Sequence, residues 1–165
     1  MHTVLIIEDT IELAEVIQAT LERMGIAAFH EPRGEKGLNT YMTLHPDLVM
    51  LDIALPDIKG WKILEQIRAY TEDQQIPMPK IVVISAFGDP ANRLMGKLQD
   101  IARYLIKPFT TDQIEREVGY ALGLRDDAPP PLPDLDDDGS IDPTIQEVML
   151  LIDLENKKHG DQPDN

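Results

Sequence analysis

The sequence predicts an α/β fold, a five-stranded doubly wound parallel sheet with helices on both faces. Two observations carry that expectation. Short apolar runs alternate five times with longer amphipathic stretches over residues 1–124, the pattern of successive βα units. The strand-sized runs are continuous rather than alternating, as strands covered on both faces require. Length and composition agree, because 165 residues with 42% hydrophobic and 27% charged suit one domain plus a further segment.

Each element has its own signal. Val4-Leu5-Ile6-Ile7 reads as a buried strand. The helix after it, from about Thr10 to Met24, carries Leu13, Val16, Ile17, Leu21 and Met24 at helical spacing, and Gly25 stops it. Ala27 to His30 is a weaker strand, followed past Pro32 and Gly34 by a helix over Lys36 to Leu44 that Pro46 closes. Leu48 to Leu51 is the third strand, and Trp61 to Tyr70 the third helix. Thr71 to Pro79, polar with two prolines, reads as a loop insertion. Lys80 to Ile84 is the fourth strand, with a helix from about Pro90 to Gln99. Tyr104 to Ile106 is the short fifth strand, and the last helix spans Thr111 to Leu122, with Thr110 and Gln113 spaced as a capping box.

Composition also excludes function classes. The chain has no cysteine, so a disulfide scaffold, a zinc ribbon and a thiol nucleophile are out. Thirty acids against 15 bases give a net charge of −15, which argues against nucleic acid as a partner, since phosphate binding depends on Lys and Arg. No apolar run approaches the roughly 20 residues of a membrane span, and the N-terminus lacks a basic, signal-like start, so no membrane partner and a cytoplasmic location are expected.

The charge is uneven: residues 1–124 hold 18 acids and 12 bases, and residues 125–165 hold 12 acids and 3 bases. Three segments follow: a domain over 1–124, a Pro- and Asp-rich acidic linker over 125–142, and a C-terminal helix with a disordered end over 143–165. Asp134 to Asp142 resembles the start of a calcium loop, but its twelfth place is Ile145 and prolines stand where a helix should precede it. In the tail helix Ile145, Val148, Met149 and Ile152 make an apolar face. Docking on its own domain, a dimer contact and a partner motif all remain open for it.

Ligands of such sheets bind at the carboxyl ends of the strands. Glu8 and Asp9 follow the first strand, Asp52 the third, Ser85 the fourth and Lys107-Pro108 the fifth. Crowded carboxylates recruit a hard divalent cation, and Mg²⁺ is expected. Lys107 adds a fixed positive charge and Ser85 a hydroxyl donor beside a nucleophilic carboxylate, a set suited to making an acyl phosphate.

The ordered set Glu8-Asp9, Asp52-Ile53-Ala54-Leu55-Pro56-Asp57-Ile58-Lys59-Gly60, Ser85-Ala86 and Lys107-Pro108-Phe109 resembles the receiver domain of bacterial two-component response regulators, over residues 3 to about 123. The resemblance implies a flavodoxin-like, CheY-like (βα)5 fold and a phosphorylation-dependent switch. Asp52 is then the phosphoacceptor, supplied by a sensor histidine kinase, a phosphotransfer protein or a small acyl phosphate. Asp9, Asp52, the Ala54 backbone carbonyl and Glu8, partly through water, would hold Mg²⁺. Lys107 would pair with Asp52 and then with a phosphoryl oxygen, Ser85 would bond another, and Tyr104 takes the aromatic switch position. A cis peptide is expected between Lys107 and Pro108.

By the same resemblance the chain is no enzyme beyond its own phosphorylation and dephosphorylation. It acts on a downstream protein target, with the face made by the 90–99 helix, the fifth strand and the last helix as output surface; a homodimer through that face or through the tail helix is left open. Departures are Asp100-Ile101, where the family usually has Gly-Ala, and the apolar Ala54 and Phe87 beside the site, which orient no attacking water and imply a long-lived phosphoryl group. A phosphatase acting on metabolites would want an aspartate where Ala54 stands, and a nucleotide switch a Gly-rich loop after the first strand, which is missing. The strongest rival is a phosphorylation-independent interaction module on the same fold.

Overall fold

The computed structural model describes residues 1–86 and 101–127. The expected helix over 90–99, Phe87, Asp100, the linker beyond Asp127 and the tail helix lie outside the described residues. Five parallel strands form one sheet in the order β2-β1-β3-β4-β5: β1 (Thr3–Ile7), β2 (Ala27–Glu31), β3 (Leu48–Asp52), β4 (Lys80–Ala86) and β5 (Arg103–Lys107). Four helices are described with it: α1 (Ile11–Arg23), α2 (Gly34–Leu44), α3 (Gly60–Gln74) and α4 (Thr111–Ala121).

The apolar runs form strands because both faces of the sheet are covered. On one face Val4, Ile6, Leu48, Met50, Val82, Ile84 and Leu105 pack against Ala14, Ile17 and Leu21 of α1 and Ile114 and Val118 of α4. On the other, Leu5, Ile7, Val49, Leu51, Ile81, Val83 and Tyr104 meet Leu38 and Tyr41 of α2 and Ile63, Leu64 and Ile67 of α3. The chain runs outward from β1 to β2, then returns past β1 to β3, so β1 and β3 flank the topological switch point. Their carboxyl ends are where Glu8 and Asp52 stand.

Helix ends follow local chemistry. Gly25 takes φ +76 just past α1, and α4 begins with a complete capping box between Thr110 and Gln113. An Arg103–Glu117 ion pair ties α4 to β5.

The structure departs from expectation in three places. The third helix does not stop at Tyr70 but continues to Gln74, leaving only a short loop before β4. Thr71 is buried, 4% exposed, on the stripe begun by Ile63, Leu64 and Ile67, and its hydroxyl donates to the Arg68 carbonyl. The polar residues after it are a solvated helical turn rather than an insertion. Val16 faces solvent, 48% exposed, because Ala14 and Ile17 already fill the sheet side of α1. The second helix begins at Gly34, two residues before the expected Lys36.

Gly60 opens α3 directly against the end of β3. A β-carbon there would lie 2.6 Å from the Ile53 Cα and 2.9 Å from the Asp52 carbonyl, both backbone atoms that cannot step aside. Gly60→Ala is expected to cost about 1–3 kcal/mol by overpacking, read as a lowered urea midpoint with unchanged m-value.

Candidate phosphoacceptor and metal site

Side chains in a strand alternate between faces, so a column that is apolar inside the sheet ends in whatever residue lies next in phase. Val4 and Ile6 lead to Glu8, Leu48 and Met50 to Asp52, and Leu105 to Lys107, all on the face that α1 and α4 cover. The apolar columns of β1 and β3 therefore end in two carboxylates, and Leu105 of β5 leads to an ammonium, at one sheet edge.

Glu8 is fully buried and Asp52 only 2% exposed, while Asp9 is exposed. One oxygen from each of the three lies within 4.8 Å of the others. The Lys107 Nζ donates to Glu8 Oε1 and to Asp52 Oδ2, both at 3.1 Å. The Ala54 N–H donates to Asp52 Oδ1 at 2.8 Å, and the Thr10 N–H to Glu8 Oε1 at 3.2 Å. Both Asp52 oxygens thus have a donor, which fixes the plane of the carboxylate. Glu8 Oε2 is buried and, among the described residues, has no hydrogen-bond partner.

That orphaned oxygen lies among three carboxylates, a hard oxygen donor set that fits Mg²⁺. A divalent cation would satisfy Glu8 Oε2 and relieve the repulsion between Glu8 and Asp52. The residues present would hold it through Glu8, Asp9 and Asp52.

Other expected residues stand apart. Ser85 is buried, but its register partner is Ile106, which puts it in phase with Val83 on the opposite face from Asp52. Its hydroxyl donates to the Ala86 carbonyl at 3.3 Å. Tyr104 pairs with Val83 and is 5% exposed within the cluster under α2 and α3. The Lys107–Pro108 peptide is cis.

Two contacts escaped sequence reasoning. The Glu8 carbonyl accepts from His30 Nε2 at 2.8 Å. Asp57, in the loop after β3, accepts from the Gly34 and Glu35 N–H groups at 3.1 and 3.0 Å. Each joins residues more than 20 apart, and neither residue type is unusual where it stands.

Electrostatics follow from burial. Desolvation first, then the neighbouring Asp52, push the Glu8 carboxyl up from 4.5 to about 7 against the pull of Lys107. Burial pulls the Lys107 ammonium down, but Asp52 and Glu8 outweigh it and its pKa is raised.

Comparison with known sequences gives the class of protein to which this fold and site belong. Residues 4–119 match the model of the response regulator receiver domain, and the chain belongs to that family. Membership supports a phosphorylation-dependent signalling role in two-component systems. The chain is similar to a probable transcriptional regulatory protein, SilR, of Salmonella typhimurium, 35% identical over 119 residues, 72% of this chain and 50% of that one. It is 28% identical over 129 residues to the DNA-binding dual master transcriptional regulator RpaA of Synechocystis, 78% of this chain and 52% of that one. The chain spans about half the length of the curated relatives it matches.

Among solved structures, the chemotaxis response regulator CheY4 of Vibrio cholerae superposes with a TM-score of 0.67 at 20% identity, over 74% of this chain and 99% of that one. The Francisella response regulator 1452 receiver domain gives 0.64 at 23% identity, over 75% and 98%. These two show the shared fold. The relatives' names give no support to the expectation that nucleic acid is not a partner. Among the described residues no helix is long and apolar enough to cross a membrane.

The raised Glu8 value sets a pH dependence. The folded chain keeps a proton that the unfolded chain releases, so this contribution to stability is fully present below about 4.5 and is lost as pH rises through about 7. Without metal, the wild type is expected to lose about 1–3 kcal/mol relative to Glu8→Gln between pH 5 and pH 7.5. Urea midpoints of the two at each pH check it.

Proposed function

We propose that Asp52 is the phosphoacceptor of a two-component signalling switch. The supporting observation is its buried carboxylate, held between the Lys107 ammonium and the Ala54 N–H beside two further carboxylates. An Asp52 oxygen attacks the donor phosphorus. The P–N bond to a kinase or phosphotransfer-protein histidine, or the P–O bond of a small acyl phosphate, breaks, and its electron pair leaves with the imidazole or the carboxylate.

Little covalent chemistry is asked of the protein, and positioning with charge neutralisation supplies most of the catalysis. Lys107 holds Asp52 before transfer and faces a phosphoryl oxygen after it. Glu8, Asp9, Asp52 and the Ala54 carbonyl would hold Mg²⁺, which would supply positive charge to the phosphoryl oxygens. Ser85 offers a hydroxyl to the modified site, and Tyr104 responds on the far face of the sheet. The chain catalyses only its own phosphorylation and dephosphorylation, in the cytoplasm, and passes the signal on through protein contacts. Relatives of about twice its length are named as transcriptional regulators, and an output in transcription is proposed here as well.

Intact mass after incubation with acetyl phosphate and Mg²⁺ tests the reading. A gain of one phosphoryl mass is expected, absent without metal and absent in Asp52→Asn. No gain from acetyl phosphate or from a phosphohistidine donor would leave the phosphorylation-independent interaction module in its place.

Ala54 is exposed beside Asp52 and has no polar group to orient a hydrolytic water. Ala54→Asn is expected to speed dephosphorylation several-fold, followed as loss of the phosphoryl mass after the donor is removed. An unchanged rate would show that the side chain at this place does not set the lifetime.

A further inference from the structure

We propose that Asp57 is a positioning residue, which pins the loop over residues 53–59 to the start of α2 and so sets the Ala54 backbone against the phosphoacceptor; the proposal rests on Asp52 and its metal site as read above. Ala54 is the second residue of this loop, and its N–H fixes Asp52 Oδ1 at 2.8 Å. The loop's path therefore sets both the carboxylate plane and the direction of the Ala54 carbonyl. Its beginning is fastened by the Ile53 N–H on the Ile84 carbonyl at 3.3 Å, and its end by the Gly60 N–H on the Ile53 carbonyl at 3.2 Å.

Between those points Ile53 and Leu55 are buried, 7% and 8% exposed, while Ala54, Pro56, Asp57 and Lys59 reach solvent. Asp57 supplies the polar tie across the middle. Its two oxygens accept from successive N–H groups at the N-terminus of α2, and Arg33, at the N-cap position, makes no side-chain cap bond of its own. The cap of α2 is thus donated by a residue 23 positions away in the acceptor loop. Packing reinforces the tie: a β-carbon on Gly34 would lie 2.3 Å from Ile58 Cγ2, so α2 rests directly on this loop. The Glu35 and Gly34 N–H groups also hold the Asp57 carboxyl below the usual carboxylate range, so the clamp is charged at neutral pH.

Calorimetric Mg²⁺ titration and acetyl phosphate kinetics, on the full chain, test the assignment with Asp57→Ala, Asp57→Asn and a control, Thr71→Ala, which weakens the far end of α3. Asp57→Ala is expected to weaken Mg²⁺ binding about tenfold, the size of effect seen when a residue supporting a metal ligand is removed. It should slow phosphorylation at saturating donor while leaving the donor concentration for half-maximal rate nearly unchanged. Asn, which keeps an acceptor, should recover most of both, and Thr71→Ala should match the wild type in both. Wild-type Mg²⁺ affinity in Asp57→Ala, or an equal loss in Thr71→Ala, overturns the proposal. If the wild type itself gains no phosphoryl group, the reading of Asp52 fails, while the Mg²⁺ titration still decides the role of Asp57.

Discussion

One ammonium serves two buried carboxylates. Lys107 Nζ is shared between Glu8 and Asp52, two carboxylates with almost no contact with water. Removing such charges from water costs several kcal/mol per ion, and one cation cannot neutralise two anions. Burial first, and then the neighbouring Asp52, push the Glu8 carboxyl up to about 7, and among the described residues its Oε2 finds no partner. A site one positive charge short is suited to a divalent cation, and once that cation is bound, to the further negative charge of a phosphoryl group.

The fold delivers this charge pattern by phase alone. β1 and β3 are each apolar on the α1/α4 face until the sheet ends, β5 buries Leu105 there between Arg103 and Lys107, and in all three the residue next in phase at the carboxyl end is the charged one. Slipping any one strand by a residue would send its charge to the other face and break the apolar column with it. The register that buries Ile6, Met50 and Leu105 is therefore the register that assembles Glu8, Asp52 and Lys107. Stability and site geometry rest on the same pairing.

That coupling explains what was legible in the sequence. The strands announce themselves as apolar runs, and the charged residues at their ends have a fixed place once the strand order is known. Local signals also read correctly: Gly25 after α1, and Thr110 with Gln113 before α4. Failures came where polarity and burial part company. Thr71 looks like a loop residue but sits on the buried stripe of α3, and Val16 looks like core but faces solvent. The contacts of Asp57 and His30 were beyond reach for another reason. They join segments brought together only by the crossovers, and nothing local to either residue marks its partner.

Phase also constrains how a change at Asp52 can be felt elsewhere. Ser85 and Tyr104 belong to the α2/α3 face, whereas Asp52 belongs to the α1/α4 face. A hydroxyl that is to meet a phosphoryl oxygen on Asp52 has to come around the carboxyl edge of β4, since the sheet itself lies between. The cost of leaving its present place is small. Its bond to the Ala86 carbonyl, at 3.3 Å, is longer than a good O–H···O contact, and breaking it forfeits little. The space vacated by such a movement lies on the same face as the Tyr104 ring, which is already buried there. A charge placed on one face can then be reported on the other by a side chain moving around the strand end, with the five-stranded core left as it is.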